Sequence, residues 1–305
     1  MRFEKLGRVF VADGHREWML SHAAWPRAAH LRGDLFRVFF SARDARNRSH
    51  IAYVDIDVGS PAEILAVSDE PVLSPGAAGS FDDSGVIPCQ VAWIEGRPAL
   101  YYAGLSVTQD DHYQCLCGLA WLDTGLRTAT RALEAPLLEK NEVDRFGGGA
   151  VCVLRPQARG MFHMWYEARG GWSSDASGPV PRFAIKHAAS PDGVRWNRLE
   201  QVSIGDSADR SYVSNPSVLI DENLFRMWYS YKTGDRYRIG YAESGDGEAW
   251  IRKDDQAGIS TSARGWDSED VEYPFVFTHG ADIYMLYNGN QYGRTGFGLA
   301  RLERD

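Results

Sequence analysis

The apolar residues of this chain come in short bursts, not in long amphipathic runs. "FRVFFSARD", "ALYYAGLSV", "FHMWYEARG", "FRMWYSYKT" and "IYMLYNGNQ" are versions of one phrase. Aligned on Phe40, Tyr102, Tyr166, Tyr229 and Tyr287, they recur at steps of 62, 64, 63 and 58 residues. Each is preceded by an apolar burst ("AAWPRAA", "VIPCQVAWI", "GAVCVLRP", "SNPSVLI", "EYPFVF") and followed by another ("SHIAYVDI", "QCLCGLAWL", "FAIKHAAS", "YRIGYAES", "GFGLARL"). The bursts are rich in Val, Ile, Tyr, Phe and Trp and are separated by Gly, Asp, Asn and Ser, so they read as strands. No stretch sustains a 3.6-residue period with caps. Five repeats of roughly sixty residues with three or four strands each predict an all-β chain, a five-bladed β-propeller over 1–305 as a single domain. The last repeat stops after its third strand at Leu302. The N-terminal "RFEKLGRVFV" is therefore expected to supply the missing outer strand, closing the ring and covering a sheet edge.

In an antiparallel blade, the start of the first strand, the end of the second and the start of the third share one face of the disc. That topology gathers Asp82, Asp83, Glu142, Asp144, Arg145, Asp209, Arg210, Asn215 and the acids of "WDSEDVE" at one mouth. Arg43, Asp44, Glu167, Arg169, Asn288 and Asn290 join them from the second strands. Three residues before the aligned positions Ile51, Ile185, Ile239 and Phe297 stand Arg48, Arg182, Arg236 and Arg294, with Gln114 at that place in the second repeat. Each arginine could staple a neighbouring carboxylate or, with its planar fork, receive a phosphate or carboxylate ligand. Asp267 and Glu269 would face opposite to Ser268 and Asp270 if the segment is extended. Acids clustered with arginines suit acid/base work on a polar substrate, glycosidic bond chemistry above all.

Composition narrows the partners. A net charge of −8 argues against a nucleic-acid phosphate binder, and no apolar run is long enough for a membrane span. The N-terminus lacks a secretory apolar region, and Cys89, Cys115, Cys117 and Cys152 sit in apolar segments without zinc spacing, so a cytoplasmic protein with buried thiols is expected. His22, His163 and His187 show no ligand spacing, and neither a metal nor a cofactor is expected. "SPDGVRW" (190–196) and "SGDGEAW" (244–250) resemble the Asp-box turns of other propellers, a structural device.

"FSARDARNRSHI", "FDDSGVIP", "MWYS", "YRIGYAESGDGEAW", "GWDSEDVEYP" and "YNGNQYGRTGFGLA" span nearly the whole chain. In these phrases the sequence resembles the five-bladed arabinanase, xylosidase and fructosidase glycosidases and the mannoside phosphorylases. It most resembles the propeller domain of glucosamine inositolphosphorylceramide transferases and their stand-alone bacterial relatives, which tend to accompany polysaccharide biosynthesis genes. The resemblance implies a carbohydrate or phosphorylated sugar ligand and hydrolysis, phosphorolysis or glycosyl transfer. Where those glycosidases carry a base Asp on the first blade, this chain has His22 in "SHAAWP". The expected acid/base candidates are Asp83 and Glu269, with Asp144 and Glu167 beside them. The expected ligand-binding set is Arg43, Asp44, Arg48, Arg145, Arg182, Arg210, Arg236, Glu272, Asn288, Asn290, Tyr292 and Arg294. A non-catalytic carbohydrate-binding propeller is the alternative.

Overall fold

The computed structural model describes residues 1–107, 113–156, 160–175, 178–207, 210–221 and 223–304, without the side chains of 172–181. Asp209 lies outside the described residues. Strand β1 (Phe3–Phe10) precedes four antiparallel meanders. They are β2 (Ser21–Arg32), β3 (Leu35–Arg43), β4 (Ser49–Asp57) and β5 (Ile64–Val67); then β6 (Gly85–Ile94), β7 (Arg97–Ser106), β8 (Gln114–Leu122) and β9 (Ala129–Arg131). Next come β10 (Gly148–Leu154), β11 (Phe162–Asp175), β12 (Gly178–Ser190) and β13 (Asn197–Gly205); then β14 (Ser211–Asp221), β15 (Leu224–Thr233), β16 (Arg236–Ser244) and β17 (Ile251–Arg252). The last sheet joins β18 (Glu272–His279), β19 (Asp282–Asn288) and β20 (Phe297–Leu302) to β1, in the order β1-β20-β19-β18. A single parallel bridge, Ser49 to Gly85, merges the first two meanders into one eight-stranded sheet.

The first strand of each unit touches the next in a cycle: β2 on β6, β6 on β10, β10 on β14, β14 on β18, and β18 back on β2. Each of these inner strands also breaks register at an equivalent place: at Trp25-Pro26, Cys89, Ala150, Asn215-Pro216 and Tyr273-Pro274. Trp25, Ala150, Asn215 and Tyr273 have φ of +54°, +43°, +52° and +56°, a left-handed backbone that costs non-glycine residues of order 1–3 kcal/mol each. Bulges of this kind re-aim a side chain. Here proline accompanies four of the five: β2, β14 and β18 are open edges of their sheets, and β6 meets β4 only at the Ser49–Gly85 bridge, so Pro removes no ladder bond on that side.

The two S-x-D-G turns fasten one unit to the one before. Ser190 and Ser244 Oγ each accept the glycine N–H at 2.9 Å, and Gly193 and Gly247 take φ of +75° and +84°. The freed carbonyls accept Tyr101 Oη–H (2.7 Å) and Trp165 Nε1–H (2.8 Å) from the preceding unit. Trp196 and Trp250 pack edge-on against those same two rings.

Candidate active site

The starts of the inner strands, the ends of the second strands and the starts of the third converge on one cavity of about 680 Å³. All five units line it: Trp25 and Arg43 from the first, Ile87, Tyr113 and Cys115 from the second, Glu167 and Phe183 from the third. Tyr212, Asn215, Lys232 and Tyr237 come from the fourth, and Tyr273 and Tyr292 from the fifth. Three of the five bulges thus aim a side chain at this space, namely Trp25, Asn215 and Tyr273. Seven aromatic residues beside a few polar groups make the usual wall of a small-ligand site.

Glu167 is the one carboxylate among the described lining residues. It sits on β11 opposite Gly149 and Ile185, and burial pushes its carboxyl up to about 7, with Asp206 adding to the rise and Arg169 opposing it. Asp206 is itself raised by burial, and accepts the Phe183 (3.0 Å) and Val213 (3.2 Å) N–H groups. Glu272 lies behind the wall, fully buried, with neither carboxylate oxygen accepting a hydrogen bond. Burial first, then the neighbouring Asp270, hold it well above the usual carboxylate range.

The positive charge is distributed differently. Lys232 Nζ stands 4.5, 4.8 and 5.5 Å from the ring centres of Tyr212, Tyr237 and Tyr292 and donates to Tyr292 Oη at 3.3 Å. It has no ion-pair partner among the described residues, and neither has half-buried Arg43, which donates to Asn47 Oδ1 (3.0 Å), nor exposed Arg294. Arg43 and Arg294 lie close enough to His22 that, together with burial as the larger cause, they lower its pKa to about 4, leaving it neutral at pH 7. Unpaired cations around an aromatic cavity with one near-neutral carboxyl can hold an anionic group and move a proton.

Arg48 also lines the cavity, and the remaining sequence candidates are placed elsewhere. Of the arginines in one register, Arg48 pairs with Asp44 (2.9 Å), Arg182 with Asp206 (3.6 Å) and Arg236 with Glu269 (2.5 Å), while Arg294 is left unpaired. Glu269 is 47% exposed in that ion pair and does not line the cavity. Arg210 pairs with Asp254 at 3.0 Å, and Arg145 is exposed away from the lining. Asp83 closes a turn, accepting Gly79 N–H (2.9 Å) and Ser84 Oγ–H (2.8 Å). Asn288 is fully buried: its Oδ1 accepts Trp25 N–H (2.8 Å), and its Nδ2 donates to Ala23 O and Gly296 O. Asn290 Oδ1 accepts the N–H groups of Glu269 and Asp270.

Asp144 belongs to a device repeated around the ring. It accepts Tyr166 Oη–H (2.8 Å) and pairs with Lys186 (2.9 Å) and Arg198 (3.2 Å). Asp82 does the same with Tyr102 (3.0 Å) and Arg131 (2.8 Å). Asp267 takes Tyr287 (3.0 Å) and Lys5 (2.6 Å), and Asp254 takes Tyr229 with Arg252 and Arg210. The aligned tyrosine of four repeats is therefore an anchor for a buried aspartate. The first repeat has Phe40 at that position and lacks the device. Asp267, with Lys5 on β1, ties the N-terminal strand to the last sheet. The crowded acids of "WDSEDVE" divide accordingly: Asp267 and Asp270 turn inward as hydrogen-bond acceptors, and Glu269 points to solvent.

Lys232, Tyr113, Phe183, Tyr212, Tyr237 and the bulge residues Trp25 and Tyr273 were not among the sequence candidates. The signal available for the bulges was the recurring X-Pro in "WP", "IP", "NP" and "YP", which marks where each inner strand swings a residue out.

No family model matches the chain. Two proteins of Mycobacterium tuberculosis, the uncharacterized proteins MT1551 and Rv1502, are each 38% identical to it over 304 residues, covering 99% of this chain and all of theirs. A solved structure described as a glycoside hydrolase superposes with a TM-score of 0.74 at 17% identity, covering 99% of this chain and 93% of that one. Another, described as showing that the GH130 family of mannoside phosphorylases contains glycoside hydrolases that target β-1,2-mannosidic linkages in Candida mannan, gives 0.72 at 14% with the same coverage. A glycosyl hydrolase of Bacteroides ovatus gives 0.75 at 13%, again covering 99% and 93%. At such identities the likeness shows the fold, which is shared with glycosidase-like propellers. The much closer sequence match, running the full length of both partners, places the chain in the family of MT1551 and Rv1502.

Proposed function

We propose that this protein is a carbohydrate-active enzyme, built as a five-bladed β-propeller closed by its N-terminal strand, that acts on a glycosidic or sugar-phosphate bond in polysaccharide or glycoconjugate metabolism. The observation that carries this reading is Glu167, poised near pH 7 in the cavity wall beside cations without carboxylate partners. Glycoside hydrolases ordinarily need two carboxyl groups, one to protonate the leaving oxygen and one to attack or to activate water. The described lining offers one. A phosphate oxygen held by Lys232 and Arg43, which both line the cavity, fills the second role. Glu167 gives its proton to the leaving oxygen as the bond from the anomeric carbon breaks, and the phosphate oxygen forms the new bond to that carbon. The reverse reaction, in which a sugar phosphate donates its glycosyl group, uses the same atoms. Trp25, Tyr237 and Tyr273 supply faces for the sugar rings. Neighbours of the same fold that include mannoside phosphorylases are consistent with phosphate as a participant.

A thermal-shift screen of sugar 1-phosphates, nucleotide sugars, inorganic phosphate and the matching neutral sugars tests this. Ligand at 100 times its Kd should stabilise by about 2.7 kcal/mol. A phosphorylated compound is expected to do so, and Lys232→Met to weaken it at least tenfold. Stabilisation by neutral sugars alone would contradict the anion site. His22 at the place of a first-blade base favours the second reading, a non-catalytic carbohydrate-binding propeller. Ligand binding without turnover by the unaltered protein on any such substrate would support it.

A further inference from the structure

Arg27 follows the Trp25-Pro26 bulge on β2 and is 3% exposed. Its surroundings come from all five inner strands. Nη1 donates to the Pro26 carbonyl and Nη2 to Asn215 Oδ1 on β14, both at 3.0 Å. Its guanidinium carbon stands 5.6 Å from the Phe275 ring centre on β18, and its charge is felt by Cys89 on β6 and Cys152 on β10. A group reached from every strand of a closed cycle stands at its axis. Trp25, whose ring centre is 5.8 Å away, and Asn215 also line the cavity, so the guanidinium lies one side-chain layer beneath the cavity floor.

A guanidinium has five N–H donors. Arg27 makes two hydrogen bonds and has no carboxylate partner among the described residues. Burial lowers its pKa to about 10, which still leaves it charged at pH 7. The nearby thiols do not neutralise it, since burial pushes Cys89 and Cys152 up to about 11 and both stay protonated. What faces the charge is two carbonyl oxygens and two aromatic rings, which is little for a buried ion.

We propose that a small monovalent anion of the halide class, chloride under ordinary conditions, binds at the axis of the ring against Arg27. The guanidinium repels a cation from this position. The thiol and aromatic walls offer few donors, which suits a weakly hydrated single charge better than phosphate or sulfate with their many acceptor oxygens. The bound anion would fix Arg27, and through Asn215 and Trp25 the cavity floor.

The test compares the melting temperature of the protein in sodium chloride, sodium bromide and sodium gluconate at equal ionic strength. The halides are expected to raise it by about 2–4 °C over gluconate, in a saturable manner, and Arg27→Met to abolish the difference. Arg27→Lys, which keeps the charge but not the fork, should retain a weakened halide effect and serves if the methionine variant does not fold. Crystals soaked in bromide should show an anomalous peak within hydrogen-bond distance of the guanidinium. Equal melting in halide and gluconate, a halide effect that survives Arg27→Met, or bromide found only beside Arg43 and Lys232 would each overturn the proposal.

Discussion

Glu167→Gln is expected to abolish turnover while making the protein more stable at pH 8. Loss of a general acid typically removes 10²–10⁴-fold in rate. The stability effect follows from the direction of the shift. The folded state holds the Glu167 carboxyl near 7 against an ordinary value of 4.5, so between these two values the folded protein binds more protons than the unfolded chain. The stability contributed by this group is then fully present below about pH 4.5 and is lost as the pH rises through 7. The full shift corresponds to at most about 3 kcal/mol at pH 8, less whatever the cavity's own solvent screens. Glutamine cannot ionise, so the variant should match the parent at pH 4 and melt several degrees higher at pH 8. Glu272, raised in the same direction by burial, adds to the parent's decline with pH and is untouched by the substitution. Thermal melts of both proteins across pH 4–8, with turnover measured at pH 7, check the pair of effects. Equal pH profiles would mean that Glu167 titrates as an ordinary surface carboxyl.

The second large effect is on folding. Asp144→Asn is expected to destabilise the protein by about 3–5 kcal/mol, the usual cost of removing one partner from a buried ionic group. Lys186 and Arg198 have side chains only 12% and 11% exposed and share this carboxylate, so the substitution leaves two enclosed cations without a counter-charge. Turnover per folded molecule should be unchanged, because Asp144 does not line the cavity. Denaturant unfolding together with activity on the folded fraction separates the roles. Unaltered stability with lost turnover would return Asp144 to the catalytic candidates.

These two aspartyl and glutamyl positions show what a single chain can and cannot disclose. Both were visible as acids near one mouth, because antiparallel topology alone puts the start of β10 and the body of β11 on the same side. The repeat was also legible, since aligned aromatic phrases mark equivalent strands whatever their loops do. What was not legible is which acid has a partner. Asp267 meets Lys5 across 262 residues of chain, and Asp144 meets Arg198 across 54. Spacing says nothing about such encounters. The arginine register is a similar case: four residues share a position, yet Arg48 is stapled by the nearby Asp44, Arg182 and Arg236 are stapled by carboxylates from other segments, and Arg294 is not. Glu269, the most conspicuous acid locally, lies in an exposed ion pair, whereas Glu167 acquires its character from burial that only the packed units create. The aromatic wall was hidden for a different reason. Trp25, Tyr237 and Tyr273 resemble core residues in sequence, and it takes a left-handed bulge to turn Trp25 and Tyr273 toward the cavity.

The central claim is that one cavity carboxyl is set to exchange a proton at neutral pH among cations that await an anion. The most direct measurement is a carbon-13 NMR titration of the Glu167 side-chain carboxyl, assigned by its loss in Glu167→Gln. A midpoint near 7 is the expected result. A midpoint near 4.5, the ordinary value for glutamate, would contradict the account, because the group could then donate no proton under the conditions in which it is proposed to work.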